Sequence, residues 1–301
     1  MGKQKGMTIK ISVCVTTYNR AELLDNTLRS LAKQTHPPDE LIVSDDFSQD
    51  NTQQIVKKWQ KRFKRFIYNR NSSNLYMPGN LNVAVGLSSG KYIANLHDGD
   101  EFDPFLLEKW EKMLDYYPTA GFVFNAVATR QSDHSPQILT LHDVDPFTPG
   151  REFFKKYMLH KYTSIVWGTV MARSAVYKKL LPFDNKFGFI SDVDMWMRIC
   201  LDHDVAYIKE PLVFLDNTPT QERSFSWDRL ETIRKMQLAN IKRFYGDNQK
   251  KLRKQLFIHT IKTQRLYIKR ILGRIRHKDW KEFQKGLILF QKLGIPIKKF
   301  L

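Results

Sequence analysis

Short apolar segments alternate with amphipathic segments along the first hundred or so residues, and this alternation restricts the fold more than any other feature. The apolar segments are predicted strands, at residues 11–15, 40–44, 66–68 and 91–96. Between them, residues 21–34, 52–61 and 79–89 have apolar side chains at helical spacing. Strands that alternate with helices of roughly ten residues predict βαβ units and a mostly parallel sheet.

Polar residues follow three of these predicted strands. Thr16-Thr17 follows the first strand, Asp45-Asp46 the second, and Asp98-Gly99-Asp100 the fourth. Ligands of open α/β sheets bind beyond the carboxyl ends of the strands. We therefore expect the three loops to converge on one crevice.

The acidic cluster after the fourth strand is a candidate metal–diphosphate site. Asp98, Asp100 and Glu101 offer the hard oxygen ligands that a magnesium or manganese ion bridging two phosphates needs. Asp103 and Pro104 predict that a helix begins there, with Asp103 as its N-cap. Because short acidic loops are common, a merely solvated loop is the alternative interpretation.

The second half of the chain continues the α/β pattern and then changes. Strands are predicted at 121–128, 138–141, 205–208 and 212–215, and helices at 110–117, 174–181 and 191–203. In the last of these helices Met195, Trp196, Ile199 and Cys200 are predicted to face inward. From Trp227 onward the pattern is helical and basic, which places a domain boundary near 217–225.

Charge and cysteine content bear on partners and location. The net charge is +18, with the basic excess after about Arg223. Such a tail suits an anionic membrane surface, nucleic acid or an acidic polymer, or is a solvated helical face. No run of 18 apolar residues and no secretory signal is present. Cys14 and Cys200 are interpreted as buried free thiols in a reducing compartment, so we expect a cytoplasmic protein, peripheral at most on the inner face of a membrane.

Several motifs together resemble the family two glycosyltransferases with the GT-A fold. They are Val13-Cys-Val-Thr-Thr-Tyr-Asn-Arg20, Gln34-Thr35, the segments 40–52 and 82–93, and His97-Asp-Gly-Asp-Glu101. The resemblance covers about residues 10–215. It implies an α/β, Rossmann-like GT-A catalytic domain at 8–220, with a nucleotide-sugar-binding half at 8–105 and an acceptor half at 106–220. A basic helical extension would occupy 221–301.

The resemblance also implies donor-site roles. Asp98 and Asp100 match the family's Asp-x-Asp pair, in which Asp100 would hold Mn2+ or Mg2+ and Asp98 would face the ribose or the metal's water shell. Thr16, Tyr18 and Asn82 would line the nucleotide pocket. Asp46 would accept a hydrogen bond from the N3–H of uracil or thymine, because a carboxylate offers only acceptors. An Asx turn at Asp45-Asp46 is the alternative.

On the acceptor side, the segment 187–198 resembles the family's second acidic motif, although Ser191 stands where the family usually has Glu. Asp192 is the candidate general base. Asp194 is either an alternative base or the structural partner of Arg198 at i+4. Trp167-Gly168 and the loop 217–226 would border the acceptor, and Arg223 would contact the diphosphate.

These inferences predict a metal-dependent inverting glycosyltransferase. It would move a sugar from a UDP- or dTDP-linked donor to a hydroxyl of a glycan or lipid-linked acceptor, in cell-surface polysaccharide or glycoconjugate synthesis. A sugar nucleotidyltransferase is one alternative, but it would usually carry a glycine-rich loop after the first strand, and residues 16–20 contain no glycine. A non-catalytic membrane- or nucleic-acid-binding protein acting through the basic tail is the other; it would need no convergent acidic loops.

Overall fold

The structure is a computed structural model that describes residues 9–130, 136–140, 142–215 and 226–293. The chain divides into two compact units. Met1–Met158 and Ser164–Pro219 form the first, here called the sheet unit, and Leu159–Thr163 and Thr220–Leu301 form the second, here called the helical unit. The division predicted at residue 105, between a donor half and an acceptor half, stays a prediction.

A mixed sheet organises the sheet unit, and ten strands are described in it. They are β1 (Ile11–Thr17), β2 (Glu40–Asp45), β3 (Phe66–Arg70), β4 (Tyr92–His97), β5 (Glu101–Phe102), β6 (Ala120–Arg130), β7 (Pro136–Thr140), β8 (Phe147–Thr148), β9 (Val170–Arg173) and β10 (Asp204–Phe214). The helices of this unit are α1 (Ala21–Leu31), α2 (Thr52–Trp59), α3 (Tyr76–Leu87), α4 (Leu106–Tyr116), α5 (Gly150–Phe153), α6 (Ser174–Leu180) and α7 (Ser191–Ile199).

The strand order is β3-β2-β1-β4-β9-β6-β10-β5, with β7 beside β6 and β8 beside β10. Strands β1 to β4 run parallel to one another. Strand β9 pairs antiparallel with both β4 and β6, and β10 is parallel to β6, so six strands share one direction. The predicted mixed, mostly parallel sheet is thereby confirmed. The carboxyl ends of β1, β2 and β4 lie side by side at one edge.

The apolar faces of the strands and helices form the core of the sheet unit. Val13 and Val15 of β1 pack with Leu24 and Leu28 of α1, and all four are buried. Met195, Trp196, Ile199 and Cys200 are buried as the helical spacing predicts. Cys14 and Cys200 are free and buried.

The predicted beginning of the helix after the acidic cluster is wrong. Helix α4 begins at Leu106, and the Asp103 carboxylate accepts a hydrogen bond from the Phe105 backbone in a turn that precedes the helix. The reason is a tertiary contact that no local pattern shows. The Gln34 side chain donates to the Asp103 carbonyl at 2.8 Å and accepts from the Leu107 N–H at 3.1 Å, so it caps α4 from another segment.

Two further boundaries differ from the prediction. The two short strands predicted at 205–208 and 212–215 are one strand, β10, whose register against β6 shifts between Ile208 and Pro211 and again before Val213. The irregularity at Pro211 breaks the pattern in the sequence without ending the strand. Helix α3, predicted at 79–89, spans Tyr76–Leu87, and beyond it Gly90 lets the backbone approach β1, where a Cβ would lie 2.7 Å from the Ser12 nitrogen.

The helical unit contains α8 (Trp227–Tyr245), α9 (Gln249–Arg276) and α10 (Trp280–Gln291), as the helical pattern from Trp227 onward predicts. Trp227, Tyr267 and Ile271 form its apolar core. Within the residues that the structure describes, none of the helices combines the length and the apolar content that crossing a bilayer requires.

A buried histidine pair also lies in the helical unit. The Nδ1 atoms of His160 and His259 are 3.4 Å apart, and His160 Nε2 lies 2.8 Å from Gln255 Oε1. The two rings stack with centroids 5.5 Å apart. Burial lowers the pKa of His259 to about 4, and the nearby charges of His160, Arg234 and Lys262 add to this effect.

Candidate active site

Direct hydrogen bonds join the loops after β1, β2 and β4. The Asp46 N–H donates to the Thr17 carbonyl at 2.9 Å. The Thr17 hydroxyl in turn donates to Asp98 Oδ2 at 2.8 Å. The predicted convergence of these three strand ends is therefore what the structure shows, with Thr17 as the link.

Asp98 is held by the side chains of Thr17 and Arg20, a contact that the sequence does not predict. Besides Thr17, Arg20 Nη1 forms an ion pair with Asp98 Oδ1 at 2.8 Å. The carboxylate is only 7% exposed. Burial raises the pKa of Asp98 above its usual range, while the Arg20 guanidinium and the Thr17 hydroxyl oppose that rise. Both oxygens of Asp98 thus already have protein partners.

A clamp from α1 fixes the turn between Asp98 and Asp100. Gly99 has φ = +97°, a backbone conformation that favours glycine. The buried Thr27 hydroxyl accepts from the Gly99 N–H at 2.9 Å and donates to the Asp100 carbonyl at 2.8 Å. The contact with α1 therefore fixes the backbone from which the Asp100 side chain projects.

The donor set of this turn fits one kind of metal site. Across the described parts of the chain, no group of three or more His, Cys, Asp or Glu side chains could hold a metal ion by itself. Asp98 and Asp100 supply two hard oxygen donors at this turn, and Asp98 forms an ion pair with Arg20. Magnesium-type ions are commonly held by one or two carboxylates, with substrate phosphates and water completing the shell. The turn therefore fits an ion whose remaining ligands are diphosphate oxygens and water.

The two aspartates at the carboxyl end of β2 make different contacts. Asp45 Oδ1 accepts from the Ser48 N–H at 2.8 Å, and Oδ2 accepts from the Tyr68 hydroxyl at 2.7 Å, so Asp45 shapes the loop. The Asp46 side chain takes no part in the hydrogen bond that closes this turn. Its Oδ1 accepts from Asn71 Nδ2 at 2.9 Å and from the Leu75 N–H at 2.8 Å, which fixes the orientation of the carboxylate.

The other predicted nucleotide-pocket residues lie in two places. Thr16 is half-buried, opposite Ser44 and His97 in the strand register, and Tyr18 is exposed in the loop that follows β1. Both belong to the edge where the three loops meet. Asn82 differs, because its Nδ2 donates to the Phe183 carbonyl at 3.0 Å and its Oδ1 accepts from the Phe183 N–H at 2.8 Å. Both polar atoms of the Asn82 amide thus bond to the Phe183 backbone, and the predicted contact of Asn82 with a nucleotide stays a prediction.

Asp192 lies in the first turn of α7 and is 8% exposed. Its Oδ1 accepts from the Val193 N–H at 2.7 Å. Burial raises the pKa of Asp192, and the Val193 N–H and the nearby His97 oppose that rise. A carboxyl with a raised pKa is a stronger base than an exposed aspartate once it is ionised.

Gly168 connects Asp192 to the loop after β4. A Cβ built on Gly168 would lie 2.3 Å from His97 Nε2 and 3.0 Å from Asp192 Oδ2. His97 directly precedes Asp98, so the candidate base and the acidic turn border the same small space. Sequence reasoning had given His97 no role, since nothing local to His97 places it beside residue 192.

Asp194 and Arg198 form the i+4 ion pair that the helical spacing allows, with 2.9 Å between Arg198 Nε and Asp194 Oδ2. Arg198 also donates to the carbonyls of Leu180 and Pro182. Of the two interpretations offered for Asp194, the structural one describes its contacts, which leaves Asp192 as the candidate base. Arg223 and the rest of the loop 217–225 lie outside the described residues.

Comparisons with known proteins show which family the sequence matches. A family model described as glycosyl transferase family 2 matches residues 12–181. An uncharacterized glycosyltransferase of Methanocaldococcus jannaschii is 31% identical over 202 residues, and the match spans 65% of this chain and 66% of that protein's length.

Two solved structures share the fold. S. aureus TarS 1-349, in complex with UDP-GlcNAc, has a TM-score of 0.62 and 17% identity, covering 94% of this chain and 92% of its own. The mannosyltransferase PcManGT of Pyrobaculum calidifontis, in complex with GDP-Man and Mn2+, has a TM-score of 0.54 and 17% identity, covering 95% and 87%. At this identity the likeness establishes the GT-A fold.

Proposed function

The chain belongs to glycosyltransferase family 2, and on that premise we propose that it transfers a sugar from a nucleotide-sugar donor to an acceptor hydroxyl. The observation that carries the proposal is the set of contacts at one sheet edge. Asp46, Thr17 and Asp98 are joined there by hydrogen bonds, and Gly168 borders both Asp192 and the histidine that precedes Asp98. These contacts support a donor site and a base that act on one substrate pair.

The donor base in this proposal is uracil or thymine. Asp46 supports it, because Asn71 and the Leu75 N–H hold one oxygen and so fix the plane of the carboxylate. A fixed acceptor recognises the N3–H that these bases present. PcManGT was solved with GDP-Man, so a guanine nucleotide is the competing donor that any test should include.

Asp100, with Asp98 beside it, would hold Mn2+ or Mg2+ in the proposed donor complex. A bound ion of this kind neutralises the charge that develops on the departing diphosphate. Arg20 and Thr17 would keep Asp98 in place, and Thr27 would keep the turn in place, so the protein presents the two carboxylates already oriented.

Asp192 would remove the proton from the acceptor hydroxyl as that oxygen attacks the anomeric carbon. A single displacement at that carbon inverts the anomeric configuration, and this is the outcome that the resemblance to the family two glycosyltransferases implies. The Val193 N–H holds Asp192 Oδ1, so Oδ2, the oxygen that faces Gly168, would take the proton. A hydroxyl of a glycan or of a lipid-linked sugar remains the acceptor class that we propose.

The test combines nucleotide binding with product analysis. Thermal shift of the purified protein is measured with UDP, dTDP and GDP and their sugar conjugates, with and without Mn2+. We expect stabilisation by a pyrimidine nucleotide that needs the metal and disappears in Asp100→Ala. Asp192→Asn should keep that stabilisation and lower transfer by about 10²–10⁴-fold.

The exposed Asp202→Asn is the matched control and should behave as the unmodified protein does. Release of a nucleoside diphosphate is expected, whereas release or consumption of pyrophosphate would identify a nucleotidyltransferase. Full transfer activity in Asp192→Asn, or metal-dependent binding in Asp100→Ala equal to that of the unmodified protein, would refute the assigned roles.

A further inference from the structure

The helical unit exposes large apolar side chains along α9. Phe257 is 63% exposed and Leu272 58% exposed, and Ile268 and Ile275 are also exposed. Helix α10 adds three more exposed apolar side chains, those of Trp280, Leu287 and Ile288. Exposed apolar side chains clustered on two neighbouring helices are typical of a surface that binds a protein or a membrane.

The exposed residues of α9 share one face of the helix. Ile268, Leu272 and Ile275 are spaced at i, i+4 and i+7, and Phe257 precedes Ile268 by three helical turns. A different face, with Thr263, Tyr267 and Ile271 among others, is buried. Helix α9 therefore has two apolar faces, and only one of them is covered by the described residues of the helical unit.

Basic side chains are abundant along the same two helices. Residues 249–293 contain fourteen Lys and Arg but only two acidic residues, Asp279 and Glu282. Arg274 pairs with Asp279 at 3.4 Å, and Lys285 with Asp228 of α8 at 2.8 Å. These few acidic residues cannot neutralise the excess, so α9 and α10 carry cations and exposed apolar groups together.

We propose that this surface, formed by Phe257, Ile268, Leu272 and Ile275 of α9 with Trp280, Leu287 and Ile288 of α10, docks on an anionic lipid bilayer. A bilayer interface takes apolar side chains into its acyl boundary and pairs Lys and Arg with anionic headgroups. Nucleic acid would satisfy the cations but leave the apolar side chains in water. A second copy of the chain would bring together two surfaces of the same sign. The proposal does not depend on the transfer reaction.

The test is co-sedimentation of the full chain with lipid vesicles in the absence of any nucleotide. Binding is expected to vesicles that contain phosphatidylglycerol, to weaken as salt rises, and to be much weaker on pure phosphatidylcholine. The double variant Ile268→Glu with Leu272→Glu should lower the affinity about tenfold or more, since it removes two apolar groups and adds repulsion. Tyr116→Glu, at an exposed aromatic residue of the sheet unit, is the matched control and should bind as the unmodified protein does.

Three outcomes would overturn the proposal. They are equal binding to neutral and anionic vesicles, no binding to either, and full retention of binding in the double variant. If the double variant instead abolishes a dimer seen by light scattering, or abolishes binding to duplex DNA while vesicle binding is absent, the occupant is a second copy or nucleic acid. Circular dichroism and thermal unfolding of both variants establish that they are folded.

Discussion

At the scale of single residues, Gly168 sets the space between His97 and Asp192. A methyl group there would lie 2.3 Å from His97 Nε2, far inside contact distance, so the imidazole or the backbone has to move. Because an error of about 1 Å in a reacting geometry can cost about 10²-fold in rate, we expect Gly168→Ala to lower kcat by about 10–100-fold. Steady-state kinetics measure this, and nucleotide-induced thermal shift should stay as it was.

Gly273 of α9 provides the control for that prediction. A Cβ at Gly273 meets no atom within 4 Å, so Gly273→Ala should leave the kinetics unchanged. Unaltered kcat in Gly168→Ala would mean that the space beside Gly168 is not used by the reaction.

The carboxylates of the candidate site were predictable from the sequence, and their partners were not. Asp46, Asp98 and Asp100 follow apolar strands, and a polar residue at a strand end is visible in the pattern. Thr27 is 72 residues from the turn that it clamps, and an isolated Thr on a helix has no signature of that task. The contact of the Asn82 amide with Phe183, 101 residues away, has no local signature either.

At the scale of elements, α7 depends on a buried ion pair. Asp194 is fully buried and Arg198 nearly so, and Arg198 also holds the carbonyls of Leu180 and Pro182. Removing one member of a buried pair leaves the other charge uncompensated, which costs about 3–5 kcal/mol. We therefore expect Asp194→Ala to lower the free energy of unfolding by about 3 kcal/mol in urea titrations monitored by fluorescence.

The exposed pair between Glu108 and Lys112 on α4 has the same i+4 spacing and serves as the comparison. Because water screens it, Lys112→Gln should leave the urea midpoint nearly unchanged. Equal effects of the two substitutions would show that burial does not determine how much the Asp194–Arg198 pair contributes to stability.

Element types followed from periodicity, while several boundaries needed contacts from distant segments. The beginning of α4 depends on Gln34, and β10 continues past Pro211 because it remains paired with β6. Strand β5 has only two residues and exists through its pairing with Val213 and Phe214. No local window contains that information.

At the scale of the whole molecule, the helical unit should be sensitive to acid. The pKa of His259 is lowered to about 4 in the folded state, against an ordinary value near 6.5. Above pH 6.5 His259 is neutral in both the folded and the unfolded state, so its burial does not change stability with pH. As the pH falls from about 6.5 to about 4, only the unfolded chain takes up the proton, so stability falls by up to about 3 kcal/mol.

Thermal unfolding followed by circular dichroism between pH 7 and pH 4.5 measures this effect. His259→Gln should flatten the dependence of Tm on pH, because glutamine does not titrate. His277→Gln, at an exposed histidine at the end of α9, should leave the slope as it is. A slope that is the same in all three proteins would place the acid sensitivity elsewhere.

The organisation of the whole chain was only partly visible in its sequence. The change to a basic helical pattern after Trp227 marks the helical unit. Leu159–Thr163, which also belongs to that unit, lies sixty residues earlier among α/β elements, and nothing in its composition distinguishes it.

The two buried thiols can report the opening of the sheet unit. Cys14 lies in β1 and Cys200 directly after α7, both buried in the sheet unit, and the chain has no other cysteine. Burial raises the pKa of both thiols, so a reagent such as a disulfide dye reacts only when the sheet opens to solvent. The labelling rate of the unmodified protein therefore counts openings of the sheet unit alone. Unfolding of α8 to α10 does not change the labelling rate, because these helices contain no cysteine. Thiol labelling and circular dichroism, followed in one sample, therefore measure the opening rates of the two units separately.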